Sequence, residues 1–163
     1  MWPGKVSLYL VIFMLGGLTF NLASGVLHLE HPIASLWTAK SGVELDSPSD
    51  WVSENQIKVT NNGVEIMINN AEWSSFTDTN SMDPVLDAGA NAIEIPVKSE
   101  SSIHPGDIIS YKSDYGIIIH RVIEVGYDDQ GWYAITKGDN NAYPDPQKVR
   151  FNQVLRVVVA IIY

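Results

Sequence analysis

The chain has 163 residues, room for one domain of ordinary size with an accessory segment but not for two catalytic domains. Its 45% hydrophobic and 18% charged residues exclude a globally disordered chain, and a net charge of −9 with only ten scattered Lys and Arg gives no phosphate-binding surface, so nucleic acid is not an expected partner. With no cysteine, a disulfide framework, a thiolate zinc site and a cysteine nucleophile are all excluded.

In chain order, residues 6–27 come first, an uncharged run bounded by Lys5 and Glu30. A helix rises about 1.5 Å per residue, so roughly 20 apolar residues cross a hydrocarbon core of about 30 Å. Residues 1–27 are therefore expected to form a transmembrane anchor. The alternative, a cleaved secretory signal ending near Ala23 and Gly25, usually has an apolar region of only about 7–15 residues. Lys5 before the run, with Glu30, Glu44 and Asp46 after it, predicts a cytoplasmic N-terminus. That orientation makes the protein single-pass in the cell membrane, with its remainder extracytoplasmic.

Residues 28–56 contain Pro32, Gly42, Pro48 and a Ser/Asp-rich stretch, with Trp37 and Trp51 as apolar anchors. This composition predicts a stalk or loosely packed lead-in. From Ile57 to Tyr163 the pattern changes to period two. Val64, Ile66 and Ile68 alternate with Glu65 and Met67, and Ile93, Ile95 and Val97 alternate with Glu94 and Pro96. Further β-rich runs lie at 108–111, 117–125, 132–136 and 154–163, separated by turn signals such as Pro105-Gly106-Asp107 and Gly138–Asn141. No segment after the anchor has strong helical periodicity. The expected fold is mainly β, a barrel-like or sandwich domain built from hairpins.

Three blocks stand out within that domain: Thr79-Asn80-Ser81-Met82-Asp83-Pro84, Ile119-His120-Arg121-Val122 and Thr136-Lys137-Gly138-Asp139-Asn140-Asn141. A serine hydroxyl needs a neighbour that accepts its proton and returns it to the leaving group. His120, flanked by Ile117–Ile119 and Val122-Ile123, is expected on a rigid strand that fixes its geometry. An imidazole in that role needs a carboxylate that selects its tautomer, and both Asp139 and Asp145 are candidates. The tetrahedral intermediate also needs preorganised donors. His28, His31 and His104 have no metal-ligand spacing, so neither a metal site nor a cofactor is expected.

Taken together, the three blocks resemble the signal peptidase I family, in particular its archaeal and endoplasmic-reticulum branch, where a histidine stands in place of the bacterial lysine base. The resemblance covers about half of the chain, from Thr79 to Tyr163, and the apolar N-terminal run fits it. It implies a signal peptidase or self-cleaving-repressor type of peptidase domain, with Ser81 as nucleophile and His120 as base. The acid falls six residues after Asp139, on Asp145, with Asp139 in support. It implies that Thr79, two residues before the nucleophile, helps the Ser81 N–H stabilise the oxyanion, with Met82 as a supporting neighbour. Lys137 does not hold the position of the lysine base in the bacterial relatives. Implied substrates are exported precursors with signal peptides, cut at the bilayer after small residues at −1 and −3, with or without partner subunits.

The chain departs from the family after the nucleophile, where Val85-Leu86-Asp87-Ala88-Gly89-Ala90-Asn91 replaces an Arg-Gly-Asp-like turn. Residues 28–76 match no part of it. These departures leave a second reading, a catalytically inactive membrane-anchored β-domain that binds exported or membrane proteins. An enzyme requires Ser81 and His120 side chains within about 3 Å of each other and an aspartate behind the histidine, whereas a binding module does not.

Overall fold

The computed structural model describes residues 44–163, so the expected membrane span at 6–27 and the first part of the lead-in lie outside the described residues. The described chain is mainly β, with nine strands and three short 3-10 turns. Strands β1 (Ile57–Thr60) and β2 (Gly63–Ile66) form a separate antiparallel hairpin. Ile57 pairs with Ile66 and Val59 with Val64, so these four apolar side chains share one face, and all four are exposed.

The other seven strands are β3 (Glu72–Ser75), β4 (Asn91–Ile95), β5 (Ile108–Ser113), β6 (Gly116–Asp128), β7 (Gly131–Lys137), β8 (Val149–Arg150) and β9 (Val154–Ile162). They make one antiparallel sheet in the order β3-β4-β9-β5-β6-β7-β8. Its outer strands, β3 and β8, are not paired with each other, so the sheet is open and no barrel is closed.

Four successive β5 residues, Ile108 to Tyr111, are buried, as expected of a strand covered on both faces. Ile109 and Tyr111 belong to one core cluster with Val122, Trp132, Ala134, Val149 and Val157. Ile108 belongs to another, with Met82, Leu86, Ala90, Ala92 and Val158. Because alternate side chains point to opposite faces, the two clusters pack on opposite sides of β5. The loop between β3 and β4 closes the second cluster through Met82 and Leu86, and this loop carries Ser81.

The described end of the lead-in is tied down. Ser49 N–H and the Trp51 indole donate to Asp107 Oδ1 at 2.7 and 3.0 Å, and the His104 N–H donates to Oδ2 at 2.9 Å. Asp107 is fully buried, so these donors are what make its burial tolerable. Trp51 also packs on the first core cluster. A Cβ on Gly106 would lie 2.1 Å from the Ser47 carbonyl oxygen, so the two segments touch backbone to backbone. The compact unit spans Leu45–Tyr163, so the described end of the lead-in is packed with the strands.

Candidate active site

β7 pairs with β6 only from Arg121 onward, so among the described residues Gly116 to His120 have β5 on one side and no strand on the other. His120 lies at the end of this free edge, opposite Ile109, and is 6% exposed. Ser81 reaches it from the β3–β4 loop. Asn80 takes the left-handed backbone conformation (φ 55°) just before Ser81, which asparagine tolerates better than most residues. Met82 is buried in the second core cluster and pins the loop from below.

The Gly138–Asn141 turn holds this loop from the side. Asn140 N–H donates to the Ser81 carbonyl at 3.0 Å, and the Asn140 side-chain amide donates to the Asn80 carbonyl at 2.9 Å. A Cβ on Gly138 would stand 2.5 Å from the Ser81 carbonyl oxygen, so only glycine permits the approach. The Lys137 ammonium donates to the Gly138 carbonyl at 3.2 Å, and no hydrogen bond joins it to Ser81.

Ser81 Oγ lies 3.2 Å from His120 Nε2, and His120 Nδ1 lies 2.7 Å from Asp145 Oδ2. With Nδ1–H directed at the carboxylate, Nε2 is left as an acceptor toward the serine hydroxyl. Asp145 Oδ2 also accepts from the Thr136 hydroxyl at 2.6 Å and the Tyr111 hydroxyl at 2.9 Å, and the Asp145 N–H donates to the Thr136 carbonyl at 2.8 Å. Burial alone would raise the Asp145 pKa. Hydrogen bonds from His120, Thr136 and Tyr111 outweigh it, and the pKa falls below the ordinary carboxylate value. Burial is also the main reason that the Tyr111 phenol is shifted upward, with its bond to Asp145 adding to the effect. Tyr111 therefore remains a proton donor to the carboxylate.

Asp139 is placed elsewhere. It forms a bidentate pair with Arg121, from Nε at 2.8 Å and Nη2 at 2.7 Å, and Arg121 Nη1 donates to the Gly106 carbonyl at 2.8 Å. Both side chains are buried, at 8% and 4% exposure. The pair joins the Gly138–Asn141 turn to β6 and so fixes the turn that grips the Ser81 loop. Thr79 Oγ1 stands 3.3 Å from Ser81 Oγ, which puts a second hydroxyl beside that of the serine.

A cleft of about 540 Å³ opens beside Ser81 and His120. One wall is Ser74–Thr77 with Thr79, and the other is the free edge at Ile117–Ile119. The sequence marks Thr136 only as the start of a block and Tyr111 only as the end of a β-rich run, and gives neither a role. Both sit in strands as ordinary buried residues, and only the fold brings their hydroxyls to one carboxylate oxygen. No protein-family model, curated protein or solved structure matches the chain.

Proposed function

We propose that the chain is a membrane-anchored serine endopeptidase of the signal peptidase I type that cleaves exported precursors after small residues. The observation that carries this reading is the hydrogen-bonded series from Ser81 through His120 to Asp145 at the mouth of a cleft. In this mechanism Ser81 Oγ attacks the scissile carbonyl while His120 Nε2 takes its proton. Asp145 keeps the proton on Nδ1 and stabilises the imidazolium. The Ser81 N–H and the Thr79 hydroxyl stand beside the reacting centre as donors for the oxyanion. His120 then protonates the leaving amine, and water hydrolyses the acyl-enzyme by the same route in reverse.

A substrate in extended conformation adds to the unpaired edge of β6 at Gly116–Ile119, where main-chain hydrogen bonds supply affinity and the cleft selects side chains. The reading assigns the open sheet to the signal peptidase or self-cleaving-repressor fold. It also assigns residues 6–27 to a single membrane span with the catalytic domain outside the cytoplasm, which concentrates enzyme and precursor at one bilayer.

The test is cleavage of a membrane-reconstituted precursor with small residues at −1 and −3 by wild type, Ser81→Ala and His120→Ala. Cleavage by wild type alone, with all three proteins folded, is the expected result. Equal behaviour of wild type and Ser81→Ala across a panel of precursors refutes the peptidase reading and leaves the binding module.

A further inference from the structure

The inner end of the cleft is polar in a way the catalytic series does not use. Glu94, Ser110 and Arg156 all line it, and three of their atoms, Glu94 Oε1, Ser110 Oγ and Arg156 Nε, are buried with no hydrogen-bond partner among the described residues. Glu94 and Ser110 are each only 4% exposed. The register explains why they converge. Ser110 on β5 pairs with Arg156 on β9, and Glu94 on β4 pairs with Val158, two residues along β9 on the same face as Arg156. Two neighbouring polar atoms are engaged: Glu94 Oε2 accepts from Ser74 Oγ at 2.7 Å, and Arg156 Nη2 donates to Glu72.

Buried polar groups are nearly always paired, and three orphans on one wall of one cleft are not a packing accident. We infer that this wall is a specificity subsite for an uncharged substrate side chain that both donates and accepts hydrogen bonds, a carboxamide or a hydroxyl. Such a group donates to Glu94 Oε1 and accepts from Arg156 Nε, with Ser110 Oγ able to serve in either direction. A lysine would meet Glu94 but bring its ammonium up to the Arg156 guanidinium. An aspartate or glutamate would meet Arg156 but face Glu94. An aliphatic side chain would leave all three buried atoms without a partner, the situation by which a hydrogen-bonding site rejects an apolar analogue. The inference rests on the peptide-binding reading of the cleft and adds the class of side chain it takes.

Binding separates this subsite from the peptidase chemistry. The full chain carrying Ser81→Ala, in detergent, is titrated with eight-residue peptides in which each position is varied singly among Ala, Leu, Ser, Thr, Asn, Gln, Asp and Lys. At one position, Ser, Thr, Asn or Gln is expected to bind about ten- to a hundredfold more tightly than Ala or Leu, the range of one or two net hydrogen bonds. That preference should shrink severalfold when Ser110→Ala is added and vanish with Glu94→Leu. The Ser110 change is small enough to keep the test open if the Glu94 variant does not fold. No peptide binding, a preference for Ala or Leu at every position, or a polar preference that neither variant changes overturns the subsite. Cleavage of the same peptides by the chain with Ser81 intact is scored separately, so a subsite that binds in a chain that does not cut tells against the peptidase reading alone.

Discussion

Asp139 and Asp145 lie six residues apart, yet they are held by different partners, and one pair of isosteric substitutions tells their roles apart. In Asp145→Asn the side chain keeps its shape but its amide donates toward His120 Nδ1. The imidazole is then driven to the Nε2–H tautomer, which presents a hydrogen to Ser81 Oγ where an acceptor is needed. In serine peptidases the equivalent change costs about 10⁴ in kcat, or about 5.5 kcal/mol of transition-state stabilisation. Asp139→Asn instead removes the charge opposite the buried Arg121 guanidinium. Breaking a buried pair costs about 3–5 kcal/mol, and because asparagine still accepts one hydrogen bond the lower end applies. For a domain of this size that is a fall of about 10 °C in melting temperature. Initial rates on a peptide or precursor substrate, with thermal melts of both variants, give the comparison. Asp145→Asn should lose at least about a thousandfold in kcat with a smaller change in melting temperature, and Asp139→Asn should lose stability while its folded fraction keeps kcat within about tenfold. A folded Asp139→Asn protein that loses a thousandfold, beside an Asp145→Asn protein that cuts normally, would refute the assignment.

Thr79→Val keeps the shape but removes the hydroxyl beside Ser81 Oγ, and should lower kcat by about 10²-fold with KM little changed, as measured in steady-state kinetics. Gly138→Ala drives a methyl into the Ser81 carbonyl, so the turn or the nucleophile loop must move; a loss of about 1–3 kcal/mol in a urea melt is expected, together with a fall in kcat. The lowered Asp145 pKa contributes stability that is complete above the ordinary carboxylate range and is lost as pH falls through the folded-state value. Between pH about 5 and about 3, wild type should therefore lose more stability than Asp145→Asn, measured as urea midpoints at the two pH values. The Asp128 carboxylate, also held below its usual range by Arg150 and Lys148, is present in both proteins and cancels in that difference.

The strands most legible in the sequence are those with long β-rich apolar runs: β5, the long β6, β7 and β9 fall at the runs 108–111, 117–125, 132–136 and 154–163. β3 and β8 are not legible. β3 reads Glu-Trp-Ser-Ser, sits at the sheet edge and is largely exposed, so it has no apolar rhythm, and β8 is only two residues long. The tie between the lead-in and the domain escaped for a related reason. Its central group, Asp107, sits in a Pro-Gly-Asp turn, and nothing local marks that aspartate as the buried partner of a serine and a tryptophan more than fifty residues earlier.

β4 keeps the period its alternation gives, but its buried face is the one that carries the glutamate, and the reason bears on the site. Ile93 and Ile95 alternate with Glu94, which in a strand with one wet face puts the isoleucines inside and the glutamate in water. Here Ala92 and Glu94 are buried and the isoleucines are only half-buried. β4 is an inner strand covered on both sides: Ile95 packs on the first core cluster, and the Ser81 loop lies over the Ala92 side through Met82 and Leu86. Glu94 and the Ser81 loop line the same cleft, so the buried carboxylate and Ser81 face one space. A carboxylate left with one unpartnered oxygen is costly to a fold and is retained where something arrives to meet it. On the proposed reading, the position at which alternation misleads joins the scaffold to the substrate: the Ser81–His120–Asp145 series would supply the chemistry, and Glu94 with Ser110 and Arg156 a reason for the cleft to prefer one side chain over another.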